Sequence, residues 1–181
     1  MLFKFFVMKT IKEYIRTIPD FPKPGIMFRD ITTIINDADG FRLAVETMSS
    51  MVQDLDYDVI AGAESRGFIF GAAMAYRNHK PLVLIRKKNK LPGKTVSQSY
   101  DLEYGSTELE MHVDSFEKGA KVLIVDDLIA TGGTTEAMIK LVERLEGVVA
   151  GICVLIELPA LGGREKVKGY RLDSAVSFDG E

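Results

Sequence analysis

The chain has 181 residues and a formal net charge of −3, with 46% of its residues hydrophobic and 27% charged. These values are typical of one globular domain and argue against general nucleic-acid binding. The apolar start, Met1 to Val7, is interrupted by Lys4 and is too short to cross a membrane, so we expect a cytoplasmic protein with no membrane or nucleic-acid partner.

Apolar residues at helical spacing predict a first helix over residues 9–18, which Pro19 would end. Three prolines within residues 19–24 exclude regular structure there and stiffen the loop that follows. This loop leads to Phe28 and Arg29. A rigid backbone that ends in an aromatic side chain suits a lid over a flat ligand, because Phe28 can offer a ring face. The alternative is that Phe28 fills the core.

A second helix, over residues 39–55 with Asp39 as its cap, and a buried strand come next. The turn after this strand leads into a helix over residues 66–75 and contains Ser65, a candidate cap. Arg66 then lies at the helix N-terminus, where a cation opposes the helix dipole unless an anion joins it. The corner therefore indicates a bound anion, and a plain surface charge is the alternative.

A third buried strand is predicted over residues 81–85, and five cations follow within residues 86–94. Such a charge run is usually a solvated surface. Its position directly after a core strand favours the binding of a polyanion instead.

Residues 107–113 alternate between apolar and polar, and the residues before them are rich in hydroxyls. This pattern predicts an antiparallel flap over about residues 93–113. His112 falls on the polar face of the flap with Glu108 and Glu110. We therefore expect all three side chains to be exposed and His112 to have no catalytic role.

The strand over residues 122–125 is apolar throughout and should be buried on both faces. Asp126 and Asp127 follow it, and a helix opens at Gly132. Segment 130–134 would place backbone N–H groups and two hydroxyls at the positive end of that helix, at the sheet edge where open α/β folds bind ligands. This segment, which we call the phosphate cradle, lacks the lysine of a P-loop and the glycine fingerprint of a dinucleotide fold, so neither a nucleoside triphosphate nor a nicotinamide cofactor is the expected ligand. Two buried carboxylates need sugar hydroxyls or a divalent cation, so a sugar phosphate fits; a solvated turn is the alternative.

Two further strands are predicted, over residues 148–158 and 170–176. Cys153 lies in the first of them, within an apolar run, and reads as a core residue. The expected fold class is α/β, with a parallel core sheet flanked by helices and one domain over residues 1–181. An N-terminal hood at about residues 8–36 and the antiparallel flap complete it.

The run VLIVDDLIATGGTT resembles the 5-phosphoribosyl diphosphate signature of the type I phosphoribosyltransferases. PDFPKPGIMFRD resembles the hood of the adenine-specific members of that family, and RKKNKLPG resembles their diphosphate-binding segment. The resemblance runs from about Pro19 to Lys166. It implies transfer of a phosphoribosyl group from 5-phosphoribosyl diphosphate to adenine, giving AMP and diphosphate in purine salvage. A 6-oxopurine transferase and a non-enzymatic regulator that binds the sugar diphosphate are the alternatives.

The resemblance also implies a role for each site residue. Glu103 and Arg66 would be catalytic, and their retention argues against a mere regulator. Adenine would contact Met27, Phe28, Arg29 and Leu158; diphosphate would contact Ser65, Arg66, Arg86, Lys87, Lys90 and Tyr104; ribose and its 5′-phosphate would contact Asp126, Asp127, Ala130, Thr131, Gly132, Gly133 and Thr134. Mg²⁺ would bind through the substrate near Asp126 and Asp127, without direct protein ligands. A homodimer is expected, with some basic residues reaching across its interface.

Overall fold

This computed structural model describes residues 9–102 and 105–180. The elements, in chain order, are α1 (Ile11–Tyr14), β1 (Arg16–Ile18), β2 (Phe28–Asp30), α2 (Thr32–Ile35), α3 (Ala38–Met51), β3 (Val59–Ala63), α4 (Arg66–Asn78), β4 (Leu82–Lys87), β5 (Thr95–Leu102), β6 (Gly105–His112), β7 (Lys121–Ile129), α5 (Gly133–Arg144), β8 (Val148–Glu157), α6 (Gly163–Lys166) and β9 (Leu172–Ser177). A short 3₁₀ helix, Pro159–Leu161, precedes α6. None of the helices in the described ranges is long and apolar enough to cross a membrane.

The centre of the molecule is a seven-stranded sheet with strand order β5-β6-β4-β3-β7-β8-β9. Strands β4, β3, β7, β8 and β9 run parallel, whereas β6 joins β4 in antiparallel fashion and β5 joins β6. Parallel strands need crossover connections, which place helices on the sheet faces. The expected α/β class with a parallel core is confirmed.

Strand β7 shows why the central sheet is buried on both faces. Leu123 and Val125 point into a core shared with α1 to α4, and Val122 and Ile124 point into a core shared with α5 and the β5–β6 hairpin. Because side chains alternate along a strand, an unbroken apolar run covers both cores at once. Residues 122–125 are therefore shielded from water on both faces of the sheet, and the two aspartates that follow start from this buried position.

The hood contains three elements that the sequence did not predict, β1, β2 and α2. The first helix ends at Tyr14, and residues 16–18 form β1, which pairs with β2 so that Thr17 faces Arg29. The side chain of Thr33 explains the early end, because its hydroxyl donates to the Tyr14 carbonyl and accepts from the Arg16 N–H. This contact spans about twenty residues, so local periodicity could not reveal it.

Three smaller predictions are wrong as well. Helix α3 is capped by Asp37, whose carboxylate accepts from the Gly40 N–H at 2.9 Å, and not by Asp39. Ser65 precedes α4, but its side chain makes no capping hydrogen bond within the described chain. Strand β4 is buried on one face only, since Leu84 is exposed.

The flap is an antiparallel hairpin, as predicted, and both of its arms are regular strands. Glu110 is 7% exposed, contrary to expectation, and accepts from the Asn89 N–H at 3.0 Å. His112 is half-buried, with Nε2 2.6 Å from the Pro92 carbonyl. The hairpin docks on β4, and this contact buries the face that carries Glu110 and His112. The sequence of the hairpin does not reveal that β4 is its neighbour in the sheet. Glu103 and Tyr104 lie outside the described residues.

Candidate active site

Two strand-to-helix turns meet at the carboxyl ends of β3 and β7 and enclose a cavity of about 380 Å³. This is the edge at which open α/β sheets bind ligands. The cavity is lined by Glu64, Ser65, Arg66, Lys87, Tyr100, Leu109, Asp126, Asp127, Leu128, Ile129, Ala130, Thr131, Gly132, Gly133, Thr134 and Thr135. The structure therefore brings together the predicted anion corner and the predicted cradle.

The two aspartates form the floor of this cavity. Asp126 and Asp127 are 8% and 4% exposed. Burial raises the pKa of both carboxyls, and for Asp126 the neighbouring charge of Asp127 raises it further. Nε of Arg66 lies 2.9 Å from Oδ2 of Asp127, but its N–H is not aimed at that oxygen, which accepts no hydrogen bond from any described residue. The pair therefore presents acceptor capacity to hydroxyl donors or a cation.

Gly67 sets the approach of the two turns. A Cβ atom at this position would lie 2.7 Å from Oδ1 of Asp126 and 3.1 Å from the Val125 carbonyl. Only a glycine lets the first turn of α4 rest on the end of β7. The turn that contains Gly67 was predicted as an anion corner, but the need for a glycine where this turn approaches β7 was not predicted.

The cradle is the turn between β7 and α5. Gly132 has φ +79° and caps α5, and the first intrahelical bond runs from the Glu136 N–H to its carbonyl. The preceding N–H groups of the first turn have no partner within the helix and can bind an anion at the positive end of the dipole. Thr131 is exposed to the cavity, and the Thr134 hydroxyl donates to the Tyr100 hydroxyl at 3.2 Å. Tyr100 was not among the predicted site residues.

The basic segment after β4 is arranged differently from the prediction. Arg86 donates to both carboxylate oxygens of Glu64, each at 3.1 Å, and to the Lys90 carbonyl. Burial raises the pKa of Glu64, but the bonds from Arg86 and from the Lys87 N–H outweigh it, so the pKa is lowered. Lys88 pairs with Glu108 at 2.5 Å.

Of the cations in residues 86–94, all of which are described, Lys87 lines the cavity, whereas Arg86 and Lys90 do not. The reason is the carboxylate of Glu64, which follows β3, next to β4 in the sheet. Glu64 was not predicted as a site residue. Its position directly after a buried strand, beside a strand that ends in cations, was the available signal.

The hood supplies an aromatic face next to the cavity. The Phe28 ring lies 5.1 Å from that of Phe21 in an edge-to-face arrangement, and the guanidinium carbon of Arg66 lies 6.0 Å from the Phe28 ring centroid. The side chain of Arg29, the next residue, donates to the Thr17 hydroxyl on β1 at 2.5 Å. None of the four predicted adenine contacts, Met27, Phe28, Arg29 and Leu158, is among the residues that line the cavity.

Comparison with known proteins gives a consistent result. Residues 33–180 match the family model described as the phosphoribosyl transferase domain. The chain is 58% identical to an adenine phosphoribosyltransferase of Agathobacter rectalis over 174 residues, which are 96% of this chain and 100% of the relative. It is 56% identical to an adenine phosphoribosyltransferase of Caldicellulosiruptor bescii over 93% of this chain and 97% of that one.

Solved structures agree with these relatives. The structure of adenine phosphoribosyltransferase from Thermoanaerobacter pseudethanolicus superimposes with a TM-score of 0.90 and 49% identity, over 93% of this chain and 98% of that one. The enzyme from Saccharomyces cerevisiae, solved with an imino-altritol bisphosphate and adenine, superimposes with a TM-score of 0.86 and 34% identity, over 92% of this chain and 96% of that one.

Proposed function

The chain belongs to the adenine phosphoribosyltransferase family, and from that premise we infer how its site carries out the family's reaction. The enzyme transfers the phosphoribosyl group of 5-phosphoribosyl diphosphate to adenine and releases AMP and diphosphate. One observation carries the assignment of residues. A buried carboxylate pair stands directly before an open helix N-terminus, and Arg66 separates it from the aromatic face of the hood.

The sugar phosphate is assigned to the cradle and the aspartates. The 5′-phosphate would accept bonds from the first-turn N–H groups of α5 and from the hydroxyls of Thr131 and Thr134. The ribose hydroxyls would donate to Asp126 and Asp127. This assignment satisfies Oδ2 of Asp127, and it offsets the cost of a buried carboxylate oxygen without a donor.

Breaking the ribosyl C1–O bond develops positive charge on the sugar and negative charge on the departing diphosphate. The site therefore needs cations and N–H donors at the leaving group rather than a nucleophile. Arg66 and Lys87 line the cavity and are assigned to the diphosphate, together with Ser65 and Tyr104. Arg86 and Lys90 would join them only if the bond between Arg86 and Glu64 opens when diphosphate binds.

Mg²⁺ is the proposed cofactor, and the donor set fits it. Carboxylate oxygens are hard ligands of the kind Mg²⁺ prefers, usually one or two together with substrate oxygens and water. Asp126 and Asp127 would hold the ion through the ribose hydroxyls. When bound, Mg²⁺ neutralises charge on the diphosphate.

Adenine is assigned to the space between the Phe28 ring and Leu158. The backbone of Met27 and Arg29 would read its edge, which agrees with the use of the Arg29 side chain in a bond to the Thr17 hydroxyl. Glu103, on the flap, would assist proton movement at the imidazole ring of the base. Fixed backbone groups accept a base with only one pattern of hydrogen-bond donors and acceptors. A 6-oxopurine has a carbonyl acceptor where adenine has its exocyclic amine donor, so it does not match that pattern.

A homodimer and a cytoplasmic location are also part of the proposal. Exposed apolar side chains support the dimer: Ile69 and Tyr76 lie two turns apart on one face of α4, and Tyr76 is 91% exposed. Sedimentation of the wild type and of Tyr76→Glu tests this surface. A monomeric wild type would reject the dimer.

The activity is tested by offering adenine, hypoxanthine, guanine, uracil and orotate separately, each with 5-phosphoribosyl diphosphate and Mg²⁺. We expect nucleotide from adenine alone. Comparable rates with hypoxanthine would reject adenine specificity and leave the transfer chemistry intact. Calorimetric binding of the sugar diphosphate without any nucleotide formation would favour a regulator.

A further inference from the structure

Glu157, the last residue of β8, is a buried carboxylate that is not among the residues lining the cavity. It is 6% exposed and accepts from Nε of Arg164 at 2.8 Å, from Nη2 of Arg164 at 2.6 Å and from the Ser174 hydroxyl at 2.8 Å. Arg164 also donates to the Leu172 carbonyl at 3.0 Å. These bonds lower the pKa of Glu157, Arg164 first among them. The Glu157 carboxylate is buried whereas the Arg164 side chain is half exposed, and a buried carboxylate is costly to keep next to an active site, which raises the question of what the pair holds.

The pair fixes α6, the element that carries Arg164. A helix of four residues has little stability of its own, so its place depends on contacts with the rest of the fold. Gly163, at its start, lies directly behind the phosphate cradle. A Cβ atom on Gly163 would collide with the Ala130 carbonyl oxygen and lie 3.0 Å from the Gly132 nitrogen. The backbone of α6 is therefore the rear wall of the cradle.

The same carboxylate is tied to the adenine side of the site. Glu157 is directly followed by Leu158, whose N–H donates to the Ile129 carbonyl at 3.0 Å. Glu157 and Ile129 are register partners in the sheet, and Ile129 directly precedes the cradle residue Ala130. The pair of a buried Glu157 and a half-exposed Arg164 thus stands between the residue assigned to adenine and the turn assigned to the 5′-phosphate.

We propose that Glu157 and Arg164 are positioning residues that fix the distance between the phosphate cradle and Leu158. The inference rests on the proposed function, because it takes Leu158 and the cradle to bind the two ends of AMP. Neither side chain touches substrate. The bidentate bond between them holds α6 against the phosphate cradle and against the end of β8, which carries Leu158. A lysine binds as a single point charge and cannot reproduce this geometry.

The test compares a ligand that spans both parts with one that uses the cradle alone. Calorimetry measures the Kd of AMP and of ribose 5-phosphate for the wild type, Glu157→Gln and Arg164→Lys. We expect both variants to weaken AMP binding by about tenfold, because small displacements between binding groups are costly, and to change ribose 5-phosphate binding by less than about threefold, since the cradle by itself keeps its donors. KM for adenine should rise in parallel.

Two controls separate positioning from simple support of the fold. Arg171→Lys breaks a comparable bidentate pair with Asp54 on the exposed surface and should leave both Kd values unchanged. Gly163→Ala pushes on the cradle itself and should weaken both ligands.

Two results would overturn the inference: equal weakening of AMP and ribose 5-phosphate in Glu157→Gln and Arg164→Lys, or values that match Arg171→Lys. In both cases the wild type still forms AMP from adenine. A wild type that forms no AMP would instead reject the proposed function, on which the inference rests.

Discussion

The guanidinium carbon of Arg29 lies 4.3 Å from the ring centroid of Phe178. Arg29 also reaches the Gly180 carbonyl at 3.4 Å, and the Phe178 N–H donates to the Glu157 carbonyl at 3.1 Å. The last residues of the chain therefore hold the hood against the end of β8. The side chain of Arg29 anchors the strand whose backbone is assigned to adenine.

Phe178→Leu should consequently weaken adenine recognition. The substitution keeps an apolar side chain but removes the ring under the Arg29 guanidinium, a contact typically contributing about 0.5–2 kcal/mol. We expect KM for adenine to rise about two- to thirtyfold, with unchanged affinity for 5-phosphoribosyl diphosphate. Phe41→Leu, which removes a ring packed on Phe70 at 5.9 Å, is the control. Equal effects of the two variants on KM would show that Phe178 acts through packing alone.

Gly67→Ala should impair the enzyme although alanine favours helices. The added Cβ would lie 2.7 Å from Oδ1 of Asp126, so either α4 or the carboxylate must move. We expect a loss of kcat/KM of about a hundredfold, as for other small displacements at reacting groups. In Gly71→Ala, on the same helix, the added Cβ would have its tightest contact with the end of the Leu82 side chain, at 3.3 Å, and ordinary contacts with Gly62 and Ile60. This variant should keep activity and a similar Tm; an active Gly67→Ala enzyme would contradict the role of the close approach.

Thr131→Ala tests the cradle. Hydrogen bonds to charged groups contribute roughly 1.5–3 kcal/mol, so the affinities for 5-phosphoribosyl diphosphate and for AMP should both fall by about ten- to a hundredfold. Thr131→Ser keeps the hydroxyl and should bind both ligands almost as the wild type does. If calorimetry finds both Kd values unchanged in Thr131→Ala, the assignment of the 5′-phosphate to the cradle is wrong.

Glu103→Leu tests the proposed proton transfer. Loss of a general acid or base lowers kcat by roughly 10²–10⁴-fold, and we expect this loss with little change in binding of the sugar diphosphate. Single-turnover AMP formation and a binding titration measure the two effects. Glu108→Leu removes a carboxylate of the same hairpin that pairs with Lys88 and bonds to Ser97, and this variant should remain active. If Glu103→Leu keeps a third or more of the rate, the proton is moved by another group.

Asp30 makes the stability of the hood pH-dependent. Bonds from the Thr32 hydroxyl, from Arg16 and from the Thr32 N–H lower the pKa of Asp30 to about 2. Because the pKa in the folded state is depressed, the stabilisation, about 2 kcal/mol, is present above the unfolded pKa near 3.8 and is lost as pH falls towards 2. The difference in free energy of unfolding between the wild type and Asp30→Asn should therefore shrink as pH falls over this range. A difference that is constant from pH 5 to pH 2 would exclude the shift.

The sequence alone determined the parts of this protein that are contiguous in the chain. An apolar run, two aspartates, a glycine turn and a helix follow one another within fourteen residues, residues 122–135, and local rules place them at the carboxyl edge of a parallel sheet. The cradle, the carboxylate pair and the Arg66 corner could therefore be predicted from local patterns, as could the proline loop that presents Phe28.

Only the tertiary structure decided which side chains meet across elements. The bond from Arg86 to Glu64 joins β4 to the turn after β3 and leaves Lys87 to face the cavity. The place of Gly163 behind the cradle and the burial of Glu110, where the flap docks on β4, likewise arise from packing and strand register. These contacts depend on neighbours far away in the chain, and a local sequence pattern carries no information about the partner that a side chain finds when the elements pack.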